Sequence, residues 1–184
     1  QSGRKGYLYI MALVNGLSMA NHMMASMPLL CYLILLMVLL FKRRIRSADL
    51  LYIAGLWVVG ALPLEYLFVR KVVQSGDFGA ALSSLFFGDS WRSDVLNTSV
   101  SGALFKENAA WMALNYPNPN VVVGLLGVAG IYRLPARKYF GRVLVGLTIL
   151  FFVFAFRYTI VDRYSFFIPF YAMYAILVGC GVHR

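Results

Sequence analysis

The side chains able to do chemistry are few and stand as islands in an apolar sequence. Asn21, His22, Arg70, Asp77, Asp89, Trp91, Arg92, Asp94, Asp162, Arg163 and Tyr164 are polar, charged or amphipathic groups placed near the ends of apolar runs. A charge beside hydrocarbon is costly, so each is a functional hint. Asp89-Ser90-Trp91 is the most suggestive, because an acid and an aromatic ring in a turn bind a sugar by hydrogen bonds and stacking. Plain alternatives stand beside these readings. Asn21-His22 also suits the cap of a helical hairpin, Arg70-Lys71 a lipid-headgroup anchor, and Asp89–Trp91 an ordinary turn. Asp162-Arg163 also suits a solvated pair contributing about 0–1 kcal/mol. No nucleotide-binding loop, zinc-ligand cluster or nucleophile elbow occurs in the sequence. His22 and His183 are too far apart to begin a metal constellation, so no metal-ligand residues are assigned. Cys31 and Cys180 lie inside apolar runs and read as small buried hydrophobes.

The elements that position these groups must be membrane helices. Of 184 residues 61% are hydrophobic and 13% charged, with a mean hydropathy of +0.73, outside the range of a domain with a polar surface. The formal net charge of +10 raises nucleic acid as a partner, but the cations cluster at the ends of apolar runs rather than in one soluble stripe. That pattern serves membrane orientation, so the expected partner is the lipid bilayer and not nucleic acid.

The first apolar run, Tyr7–Phe41, exceeds the roughly 20 residues that one crossing needs and contains Asn15, Asn21 and His22. It reads as two antiparallel spans, Tyr7–Ala20 and about Met24–Phe41, in preference to one long tilted helix. A third span covers Leu50–Val69, with Pro63 bending it and Trp57 and Tyr66 as interfacial anchors. Residues 72–120 form a long inter-span segment in which Phe78–Phe87 and Val100–Leu114 lie as interfacial helices, Phe86, Phe87, Trp91 and Trp111 dipping toward lipid. Gly88-Asp89-Ser90 marks a turn there, and Tyr116–Asn120 a stop. Val121–Ile131 crosses only with its flanks. Val143–Phe156 and Ser165–Val182 complete the set, with a tight loop at Thr159–Tyr164 and a kink at Pro169.

The expected fold is therefore an all-α membrane protein of about six transmembrane helices, residues 1–184 forming one module. Charge orients it. One face holds Arg4, Lys5, Lys42, Arg43, Arg44, Arg46, Arg133, Arg137, Lys138, Arg142 and Arg184 against Asp49 alone. The other balances Arg70, Lys71, Arg92, Lys106, Arg157 and Arg163 with Glu65, Asp77, Asp89, Asp94, Glu107 and Asp162. The basic face is expected to be cytoplasmic, which makes 72–120 a non-cytoplasmic segment. The sequence starts at Gln1 without an initiator Met or leader and reads as a fragment of a longer multi-pass protein.

Several stretches together resemble a known family. Gly16-Leu17-Ser18-Met19-Ala20-Asn21-His22, Leu62–Arg70, Phe87-Gly88-Asp89 and Asp162-Arg163-Tyr164-Ser165-Phe166-Phe167-Ile168-Pro169, in that order, resemble the multi-pass protein O-mannosyltransferase-like family of GT-C class membrane glycosyltransferases. Glu65 departs from the pattern, which often has an aromatic residue or Leu there. The resemblance implies a transferase that moves a sugar, possibly mannose, from a polyprenyl-phosphate carrier to a protein or glycan acceptor at the non-cytoplasmic face. It would lie in the plasma membrane of a bacterium or the endoplasmic reticulum of a eukaryote. The catalytic Asp or Glu of such enzymes follows their first span, so it is expected upstream of Gln1. Displacing a lipid phosphate also needs a cation for the leaving group, and arginine suits this because its fork is bidentate and stays charged. Arg163 and Arg70 are the donor-phosphate candidates; Asp89, Trp91, Asn21 and His22 are the sugar or acceptor candidates. No cofactor is expected beyond the lipid-linked donor. A transporter or flippase-like bundle and a non-catalytic membrane scaffold are the competing functions.

Overall fold

The computed structural model describes residues 2–88, 92–115, 119–133, 138–159 and 163–182, which are helical apart from short connections. They form two compact units, Gln1–Arg92 and Ser93–Arg184. Among the described residues four segments are long and apolar enough to cross a membrane: Met23–Phe41, Ser47–Ser75, Tyr139–Arg157 and Arg163–Val182. Large apolar side chains point outward along them, Leu51 at 76% and Val69 at 58% exposure among others. Such a surface is stable against lipid and not against water, so this is a membrane protein.

In the first unit α1 (Ser2–Asn21) ends where His22 becomes extended, and a 3-10 turn (Met23–Ala25) leads into α2 (Ser26–Phe41). The break excludes one continuous helix over 7–41. Tyr32 donates to the Leu8 carbonyl at 2.6 Å and Asn15 to that of Ala25 at 3.0 Å, so α1 and α2 are antiparallel. A tight loop over 42–46 starts α3 (Ser47–Ser75), whose 29 residues rise about 44 Å, more than a ~30 Å hydrocarbon core requires. The helix continues past the apolar run Leu50–Val69 to Ser75 and stops at Gly76, whose φ of +65° favours glycine. Pro63 lies within α3.

Helices α1 and α3 run parallel, with Lys5 against Asp49, Asn15 against Trp57 and Gly16 against Gly60. A Cβ on Gly16 would overlap the Trp57 carbonyl, and one on Gly60 the Leu13 carbonyl, so the glycines let the backbones touch. Asn15, 9% exposed, accepts from Trp57 Nε1 at 2.9 Å while donating to Ala25. The indole N–H of Trp57, expected as an interfacial anchor, is committed to a neighbouring helix. Helix α4 (Phe78–Phe87), capped by Asp77 accepting from Ala80 N at 2.9 Å, folds back on α3 through Phe68–Phe78 and a Lys71–Ser84 hydrogen bond.

Apart from Arg92, the second unit contains α5 (Arg92–Leu96), α6 (Gly102–Asn115), α7 (Pro119–Arg133), α8 (Lys138–Arg157), a 3-10 turn (Arg163–Phe167) and α9 (Ile168–Val182). Helix α7 has 15 residues and rises about 22 Å, short of the hydrocarbon core. Gly127 and Gly181 bring α7 against α9, a Cβ on either overlapping a carbonyl of the other helix. Phe152 against Phe170 and Phe154 against Phe166 set α8 antiparallel to the chain that follows it. Pro169 is the second residue of α9, where a missing N–H breaks no helical bond.

Candidate functional site

One convergence of polar groups lies in the second unit, around Arg163. The 3-10 turn Arg163–Phe167 directs this side chain inward, leaving the residue 9% exposed. Its Nη2 pairs with Glu107 Oε2 at 2.5 Å and donates to the Tyr164 hydroxyl at 3.3 Å, while Nε donates to Asn108 Oδ1 at 3.4 Å. Tyr164 in turn donates to Glu107 Oε1 at 2.5 Å, closing a ring of three groups. Asn108, fully buried, donates to the Phe156 carbonyl at 2.8 Å and thereby ties α6 to the end of α8.

Helix α6 supplies Glu107 and Trp111 from one face, since they are four residues apart. Trp111 stacks on Tyr164 at 4.7 Å and 11°, and on Tyr171 at 6.1 Å and 12°. The Arg163 guanidinium lies 4.9 Å from the centre of the Tyr164 ring. Trp111, expected to dip toward lipid, is half-buried and stacks on rings of its own unit. The Tyr164 hydrogen bond, then the Arg163 pair, hold the Glu107 carboxyl below its ordinary range, although its side chain is 54% exposed.

A second connection holds the same region together. Arg157 donates to the Val95 and Asn97 carbonyls at 2.7 and 2.5 Å, and Thr159 to Asp94 at 2.9 Å. The segment before α6 is thus fastened to the end of α8. Chemically, the arrangement is a desolvated arginine paired with a part-exposed carboxylate beside an aromatic stack.

Of the other residues singled out from the sequence, Arg70 is exposed near the end of α3. Asn21 is the exposed last residue of α1, and His22 Nδ1 accepts from Met24 N at 3.1 Å, which is a capping contact. These three lie toward one end of the first unit, because α1 and α3 are parallel. Asp89, Trp91 and Asp162 lie outside the described residues. Among the described residues there is no cluster of metal-ligating side chains. Glu107 and Asn108 are the members that the sequence did not single out as site residues; the signal available was an acid four positions before a tryptophan in an otherwise apolar stretch.

Comparison with protein-family models, curated proteins and solved structures finds no match to this chain.

Proposed function

We propose that this chain is the membrane module of a glycosyltransferase that takes a sugar from a polyprenyl-phosphate carrier and places it on an acceptor at the non-cytoplasmic face. In this reading the chain crosses six times, α1 and α7 joining the four longer segments, with the basic ends cytoplasmic. Arg163 is the donor-phosphate ligand. The supporting observation is its environment: a guanidinium removed from water at the start of an apolar helix, oriented by Asn108 and Tyr164, with Glu107 as the group a phosphate would displace. The phosphate that leaves the sugar gains negative charge as the bond breaks, and where the effective dielectric is below that of water this strengthens its pairing with the guanidinium. Arg70, on an exposed helix face, is the alternative ligand. Asn21, His22, Asp89 and Trp91 are the sugar or acceptor groups of this proposal.

The test is a steady-state transfer assay on the full-length protein with the polyprenyl-phosphate sugar varied. Arg163→Lys keeps the charge but removes the planar fork, and donor use falls by about tenfold or more, with acceptor dependence little changed. Normal donor kinetics in Arg163→Lys with a defect in Arg70→Lys would move the role to Arg70; no defect in either would remove it from this chain.

A second reading rests on the same geometry. Because Glu107 already pairs with Arg163, the cluster equally serves as a clasp between α6 and α9 in a non-catalytic scaffold. Under that reading Arg163→Lys lowers the yield of folded protein and the turnover together.

A further inference from the structure

The loop between α2 and α3 displays cations from a fixed backbone. Lys42, Arg43, Arg44 and Arg46 are exposed, whereas Ile45 between them is 5% exposed and belongs to the core formed with Tyr32, Leu36 and Ile53. The amides of Arg43 and Arg44 donate to the Leu40 and Leu39 carbonyls at 2.8 and 2.9 Å. Arg43 takes a φ of +53°, the left-handed region that a residue with a side chain enters only when its surroundings require it.

The local acid does not neutralise these guanidinium groups. Within residues 2–12 and 36–53, which build this end of the unit, Asp49 is the sole carboxylate. It is committed to Lys5 Nζ at 2.7 Å, the Tyr9 hydroxyl at 3.1 Å and the Arg46 backbone N–H at 2.8 Å. Among the described residues no ion pair engages Arg43, Arg44 or Arg46. The loop also joins two segments that are each long and apolar enough to cross a membrane. A five-residue connection between such helices lies at the depth of the lipid headgroups.

We propose that residues 42–46 are a docking surface for anionic phospholipid headgroups, with the forks of Arg43, Arg44 and Arg46 taking phosphate oxygens. General attraction of cations to an anionic leaflet orients a chain but selects no lipid. A loop pinned by Ile45 and carrying unneutralised guanidinium groups holds one headgroup in preference to another, because the ordering cost is met in the fold. The surface is independent of sugar transfer.

Native mass spectrometry of the full chain in detergent, offered equal amounts of phosphatidylglycerol and phosphatidylcholine, tests it. Wild-type protein retains phosphatidylglycerol over phosphatidylcholine by about tenfold or more. The triple variant R43Q/R44Q/R46Q loses that preference, while R92Q/K106Q, which also removes surface cations, keeps it. Arg44→Gln alone, a change at an exposed position, lowers the preference about threefold and reads out even if the triple variant does not fold. Equal retention of the two lipids by wild-type protein, or equal loss of preference in R92Q/K106Q, would overturn the proposal. Displacement of phosphatidylglycerol by an equal concentration of inorganic phosphate, or of a short single-stranded RNA, would overturn it in favour of a free anion or of nucleic acid.

Discussion

At Arg163 burial and partnership decide what a charged group in an apolar chain can do. An unpaired guanidinium in this environment is costly, and the protein meets the cost with a carboxylate, a hydroxyl and an amide from three residues. Asn108 is the member without an exposed surface, so Asn108→Ala leaves the Phe156 carbonyl and Arg163 Nε short of a partner. The expected loss of stability is about 1–3 kcal/mol, read from thermal unfolding in detergent. An unchanged midpoint would show that water replaces the amide.

Glu107 gives the cluster a pH dependence whose sign follows from its depressed pKa. Its contribution is complete above the ordinary value of 4.5 and is lost as pH falls through the lower value it has when folded. Thermal unfolding of wild type and Glu107→Gln should therefore differ above pH 4.5 and converge as the pH falls below it. A constant difference across that range would remove the ionised carboxylate from the clasp. Arg163 was legible in the sequence because it is a charge beside an apolar run. Its partners Glu107 and Asn108 were not, because they come from 55 or more positions away and α6 carries no marked apolar stripe to orient them.

At the scale of elements, the long apolar runs and their polar breaks translated well into helices. His22 ends α1 because its side chain captures the Met24 amide, and the 3-10 turn that follows reverses the chain. Boundaries set by tertiary contacts were less legible. Lys71 reaches Ser84 and Phe68 packs on Phe78, which extends α3 beyond the point where hydropathy falls. Trp57 shows the same limit: an indole near the middle of an apolar run reads as an anchor until Asn15 is seen opposite it. The glycine contacts give this scale its test. Gly60→Ala forces a Cβ into the Leu13 carbonyl and is expected to cost about 1–3 kcal/mol through separation of α1 from α3. Gly55→Ala, where a Cβ meets open space on the same helix, should be neutral or slightly stabilising. Equal midpoints for the two variants would contradict the close packing of these helices.

For the whole molecule, composition identifies a membrane chain, and four segments carry that conclusion in the structure. Helix α1 has polar Asn15 and Asn21 and a basic start, while α7 is short. Whether these two cross depends on neighbours and bilayer thickness, which a hydropathy pattern does not contain. The proposed six crossings nevertheless make a definite claim, because they place the basic loop at 42–46 on the cytoplasmic face and Arg163 on the other. Single cysteines at Ser47 and Ser165, labelled in sealed, oriented vesicles with a membrane-impermeant maleimide, measure this directly. The expected result is that cysteine at 165 reacts from the non-cytoplasmic side and cysteine at 47 only after the vesicles are opened. Reaction of both from the same side would contradict the six-crossing arrangement and the placement of Arg163 at the donor face.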